Sequence, residues 1–266
     1  MKKKSPLEND DPEAATVRHM TLRGALLKII RQDVHRSLIA SLARHAEDAE
    51  LYADPSRIDW RRLSQIPNNS MAELLGSNGY TVMRGFTLPS AREAILKQCV
   101  RLDADGFLLT DFAQTFKSPR SDKQGWLTAA SLDREQMPQL LDLLTSIELL
   151  PYEMNSKARL DLQSSNRFEL SLFTKGSAGH NKHSDNPPLM HRGVRFAVMF
   201  FPNDPDWQDS DEGELVLWSK TAEVARIKPC GGDLVMLQSD KLQWSVTATC
   251  RDRFTISTWL TGPKAP

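Results

Sequence analysis

The chain has 266 residues, enough to bury one sizeable core with an appendage. Lys plus Arg and Asp plus Glu both total 34, so overall charge favours neither nucleic acid nor an anionic membrane surface. Cys99, Cys230 and Cys250 are odd in number and lack C-x-x-C spacing, the usage of a reduced, intracellular and cytoplasmic protein, and no apolar run reaches the roughly 18 residues of a membrane span.

Residues 1–16 are polar and acidic and read as a tail. An N-terminal segment, 17–69, follows. In it Leu22, Leu26, Ile30, Val34, Leu38 and Leu42 recur every fourth residue, which predicts an amphipathic helix over 20–46. Its other face carries Arg18, Arg23, Lys28, Arg31, Arg36 and Arg44 against a single acid, Asp33. Such a helix packs on its own domain, docks a protein partner, or acts as an import signal, which makes mitochondria the alternative compartment. The acidic stretch ahead of it argues against import. A linker with Pro55 and Pro67 closes the segment.

The main domain is expected over 70–262. It opens with a short helix over 70–75 and a strand over 79–86, then a helix started by Pro89 and running to Leu102. Gly125-Trp126-Leu127 reads as a short strand, and 133–150 as a helix burying Leu140, Leu141, Leu144 and Ile147. From Arg167 onward the pattern changes to alternating strands: Phe168–Phe173, Arg195–Phe201, Gly213–Trp218, Ile227–Leu237 and Arg253–Trp259, separated by Gly, Pro and Asp turns. Helices first and antiparallel strands after predict an α+β fold, a jelly roll buttressed by the N-terminal helices.

Between the first two of those strands lies Gly179-His180-Asn181-Lys182-His183-Ser184-Asp185-Asn186-Pro187. On a strand His183 and Asp185 would face the same way. An imidazole and a carboxylate so placed are two thirds of a 2-His-1-carboxylate face for non-haem Fe(II). The third ligand decides the chemistry.

With these residues in place, the chain resembles the prolyl hydroxylases that act on hypoxia-inducible factor, within the Fe(II)/2-oxoglutarate dioxygenases. The resemblance covers about 71–262 and rests on Arg120-Ser121-Asp122-Lys123 before Trp126 and on His183-Ser184-Asp185-Asn186-Pro187. Asn203, Trp207, Gly213-Glu214-Leu215, Ile227-Lys228-Pro229, Ser239-Asp240, Arg253 and Trp259 add to it. It implies a double-stranded β-helix in which His183 and Asp185 hold iron with a distal histidine, and Arg253 pairs with the far carboxylate of 2-oxoglutarate. The distal histidine is expected nine residues before Arg253, where the chain has Trp244. The six histidines are His19, His35, His45, His180, His183 and His191, so no change of register supplies one downstream. Phe173 and Phe201 stand where the family has tyrosines.

An indole nitrogen donates and cannot ligate. The residues therefore predict a vestigial metal site at His183 and Asp185, no Fe(II) or 2-oxoglutarate cofactor, and a non-catalytic binding or structural subunit that docks protein partners, with the helix over 20–46 one candidate surface. The alternative is an active dioxygenase that hydroxylates a peptidyl proline, with Fe(II) and 2-oxoglutarate held at Arg253 and at an unconventional iron site completed by His180, water or substrate.

Overall fold

The computed structural model describes residues 65–110, 121–163, 165–185 and 193–263, all within Ser64–Pro266, the second of two units into which the chain divides. The predicted helix over 20–46, the tail before it, and Arg120, Asn186, Pro187 and His191 lie outside the described residues. Among the described residues three α-helices and ten strands follow in order: α1 (Asn68–Leu75), β1 (Tyr80–Met83), α2 (Pro89–Ala104), β2 (Lys123–Leu127), α3 (Pro138–Ala158), β3 (Phe168–Phe173), β4 (His180–His183), β5 (Val194–Phe200), β6 (Leu215–Trp218), β7 (Glu223–Ile227), β8 (Leu234–Gln238), β9 (Gln243–Val246) and β10 (Arg253–Thr261). No described helix is long and apolar enough to cross a membrane.

The strands form two antiparallel sheets, a larger one in the order β1-β8-β5-β10-β3-β2 and a smaller one in the order β4-β9-β6-β7. Alternation along each strand of the larger sheet divides its side chains between two layers. Phe168, Leu170, Leu172, Phe196, Val198, Phe200, Leu234, Met236, Phe254 and Ile256 point outward and pack with Ile95, Cys99, Leu140, Leu144 and Ile147 of the helices. Met199, Phe201, Val235 and Leu237 point inward, against Leu215, Leu217, Ile227, Trp244 and Val246 of the smaller sheet. Helices thus cover one face of the larger sheet and the second sheet covers the other, the α+β jelly roll expected from the element order.

Two boundaries differ from the sequence reading. The helix predicted over 133–150 begins at Pro138, whose fixed φ suits a first helical position. Asp133 instead closes a turn, accepting the Glu135 backbone N–H through its side chain at 2.8 Å. The helix then runs through Pro151 and stops at Arg159, whose φ of 52° is left-handed. Ile227–Leu237, read as one segment, is the end of β7 and most of β8, joined by a turn in which Gly232 donates to the Phe201 carbonyl at 2.8 Å. That turn carries the chain from one sheet to the other.

Gly179 sets the approach to β4. Its φ is +85°, and a Cβ there would fall 2.2 Å from the Val246 carbonyl oxygen of β9. A side chain at this position therefore meets both backbone strain and a rigid neighbour. Gly179→Ala is expected to cost about 2 kcal/mol or more, read as a lower midpoint in urea denaturation, with the loss concentrated in amide exchange protection of β4 and β9.

Candidate functional site

β4 and β9 bring the predicted site residues together. They pair antiparallel with His183 opposite Trp244 and His180 opposite Val246, with an irregularity between the two pairs. β4 ends at His183, so Asp185 lies just beyond the strand rather than on it. The chain nevertheless turns the carboxylate back, and Asp185 Oδ1 lies 3.9 Å from His183 Nε2. That distance is outside hydrogen bonding. His183 Nδ1 is 2.9 Å from the Asn181 carbonyl oxygen; a carbonyl only accepts, so this nitrogen carries the proton.

Trp244 occupies the third corner. Its indole Nε1–H donates to Asp185 Oδ2 at 2.8 Å, and its ring meets that of His183 edge-on with centroids 4.1 Å apart. His180 packs against both, its ring centroid 4.1 Å from that of His183 and 5.3 Å from that of Trp244. The indole is almost wholly buried, and the Asp185 side chain is only 8% exposed. Desolvated, this hydrogen bond to a carboxylate is worth more than a surface one, because water is poorly placed to replace it.

Arg253, at the start of β10, is 1% exposed. Its Nε donates to the Gly213 carbonyl at 2.7 Å and one terminal nitrogen to Thr255 Oγ1 at 2.6 Å. The guanidinium lies over Phe173 at 5.5 Å and Phe201 at 5.2 Å, the two rings that stand in place of phenols. No described carboxylate comes within ion-pair distance of it. Burial pulls its pKa down to about 9, with Asp122 acting in the opposite sense.

Below Trp244 a small cavity reaches Arg253, with room for about one water molecule. Its walls include Glu169, Ser171, Thr255 and Ser257, polar side chains that the sequence reading passed over. Their signal was present: inside the apolar run of β3, Glu169 and Ser171 fall on alternate positions with Phe173, and Thr255 and Ser257 alternate with Arg253 in β10.

Two layers of antiparallel strands with helices outside one of them define a double-stranded β-helix, with the residues of interest at one end of the inter-sheet space. Residues 169–261 match the model of the 2OG-Fe(II) oxygenase superfamily. Among solved structures, a Pseudomonas putida prolyl-4-hydroxylase is 19% identical with a TM-score of 0.62, over 74% of this chain and 98% of that one. A Trichoplax adhaerens prolyl hydroxylase, solved with a hypoxia-inducible-factor peptide fragment, is 19% identical with a TM-score of 0.66, over 77% and 94%. A prolyl 4-hydroxylase from Phytophthora capsici is 22% identical with a TM-score of 0.60, over 78% and 66%. No curated protein matches the sequence. The chain has a prolyl-hydroxylase-like 2OG-Fe(II) oxygenase fold, as its motifs imply.

The described residues do not by themselves complete a site for the iron such folds use. Among the described residues, no three His, Cys, Asp or Glu side chains converge as a metal site, and the third position holds a donor-only indole that already engages Asp185. Nor does the space between Trp244 and Arg253, as folded, admit a molecule the size of 2-oxoglutarate. His180 is close, but its ring lies against that of His183 instead of sharing a metal-sized gap with it.

Trp244→Phe keeps an aromatic ring and deletes the N–H, removing one hydrogen bond from the buried Asp185 carboxylate. It is expected to cost about 1–3 kcal/mol, measured as a shift in the urea midpoint.

Proposed function

We propose that this chain is a non-catalytic member of the prolyl-hydroxylase-like fold, acting as a binding or structural subunit for protein partners. The observation that supports this most is the Trp244 Nε1–H bond to Asp185 Oδ2, which turns a position for a metal-binding nitrogen into a structural contact. Losing even a residue that only orients a metal ligand costs roughly 10- to 100-fold in affinity or activity; here a ligand itself is replaced by a larger ring. Phe173 and Phe201 act in the same direction, since each retains packing around Arg253 while offering no hydroxyl to an anion.

What remains for function is the surface of a rigid double sheet, a scaffold suited to presenting loops and edges to another protein. Fold alone never settles activity, so the site carries the reading.

Anaerobic incubation with Fe(II), desalting and elemental analysis test it, together with calorimetric titration of 2-oxoglutarate. Iron well below one per chain and no saturable 2-oxoglutarate binding are expected. Stoichiometric iron with micromolar 2-oxoglutarate binding would overturn the reading in favour of an active dioxygenase, the more so if a prolyl peptide is hydroxylated. Trp244→His alone is expected not to restore full turnover, because the two phenolic hydroxyls are still missing; robust 2-oxoglutarate decarboxylation by that variant contradicts the account.

A further inference from the structure

The linker that carries Pro67 begins, among the described residues, with Gln65 and Ile66, which belong to no helix or strand. Side chains of α3 hold their backbone instead. Glu153 accepts the Gln65 N–H through Oε2 at 2.8 Å and the Ile66 N–H through Oε1 at 3.2 Å. Lys157 Nζ donates to the Ile66 carbonyl and pairs with Glu153 Oε1 at 2.7 Å. Two successive N–H groups that converge on one anion form a small binding concavity, and hydrogen bonds to a carboxylate are the stronger kind. The Ile66 side chain is wholly buried and joins the helix-side core with residues of α1 and α3 such as Leu74 and Leu150.

This attachment is built differently from the rest of the fold. Pro151 lies inside α3 and has no N–H, so the helix lacks the bond back to the Ile147 carbonyl at that turn. Beyond it the polar side chains reach out to other segments. Glu153 and Lys157 hold 65–66, while Asn155 accepts the Leu162 N–H at 2.7 Å and donates to the Leu162 carbonyl at 2.8 Å. Gln65 Oε1 is buried and finds no hydrogen-bond partner among the described residues, a cost present while the segment is seated and relieved when water reaches it. The larger sheet rests on backbone ladders that join β10 to both β3 and β5. Lifting 65–66 breaks side-chain contacts and withdraws one apolar group, with every ladder left in place.

We infer that Glu153 and Lys157 form a latch for the segment at 65–66, a conformational device that opens and closes as one unit while the double sheet stays folded. Glu153 is the positioning residue, because a carboxylate offers an acceptor oxygen to each N–H and an amide offers only one. Closed, the latch seats Ile66 in the helix-side core. Open, it uncovers the apolar seat of that side chain on the helix layer, across the larger sheet from Trp244. The inference does not rest on how the site at Trp244 is read.

Amide hydrogen exchange of the full chain, resolved to single residues by NMR, tests it. In wild type the Gln65 and Ile66 amides are expected to be protected, yet to exchange at least roughly ten-fold faster than those of β5 and β10. Glu153→Gln is expected to speed exchange at both amides roughly ten-fold, a difference of about 1.4 kcal/mol, and to leave β5 and β10 unchanged. Lys157→Met keeps the stem and removes the donor, and is expected to raise the same two rates by a smaller factor. Unchanged rates at Gln65 and Ile66 in Glu153→Gln overturn the proposal, as does an equal acceleration across β5 and β10. Wild-type amides at 65–66 that exchange either at the rate of those strands or as in a free peptide overturn it too. None of these outcomes bears on iron or 2-oxoglutarate binding, so the two readings fail separately.

Discussion

The hydrogen bond from the Trp244 indole to Asp185 ties the loop after β4 to β9, strands that pair only at His180–Val246 and His183–Trp244 with an irregularity between. Without it, a carboxylate that is 8% exposed would lose a donor and face an apolar ring. The same ring packs edge-on against both His183 and His180 and roofs the cavity above Arg253. One side chain thus supplies a donor, an aromatic wall and a lid, and the neighbouring residues are arranged around it. Chemistry at an open metal face requires ligands whose lone pairs converge on a shared point. Here the converging groups satisfy one another.

The rest of the architecture is held by contacts away from Trp244. Phe168, Phe196 and Phe200 on the outer face of the larger sheet pack with helix residues such as Leu140, Leu144 and Ile147. That layer is independent of the inter-sheet space where Trp244 lies. Asn203 reinforces the sheet crossing, donating to the Pro229 and Phe254 carbonyls at 3.0 and 3.1 Å and accepting the Phe254 N–H at 2.8 Å. Arg251, bridging Asp204, Asp206 and Asp211, fastens the loop beside it. These contacts, which hold the fold together, lie outside the site.

Much of this was legible in the sequence because it depends on period and spacing. Phe168–Phe173 announces a strand through alternation, and Leu140, Leu144 and Ile147 a helix face through their three- and four-residue steps. The approach of Trp244 to His183 and Asp185 was implied by the family resemblance, and the pairing of β4 with β9 brings them together. Other features were hidden for physical reasons. Nothing local distinguishes Pro138 as a start from Pro151 as an interior residue; tertiary packing around α3 decides that. β7, with exposed Glu223 and Val224 on the outer edge of the smaller sheet, has no buried stripe to mark it. Glu169 within an apolar strand reads as an interruption until its neighbours across the sheet, Ser257 and Trp126, are known. Polar residues inside a sandwich become meaningful only as pairs, and pairing is the part that a single strand cannot show.

The most direct measurement of the central claim is a high-resolution crystal structure of the protein grown anaerobically with Fe(II) and 2-oxoglutarate. The account predicts the Trp244 nitrogen still within hydrogen-bonding distance of Asp185, with no ion between that carboxylate and His183. An iron ion ligated by His183 and Asp185, with 2-oxoglutarate chelated to it and the indole turned away, would contradict it.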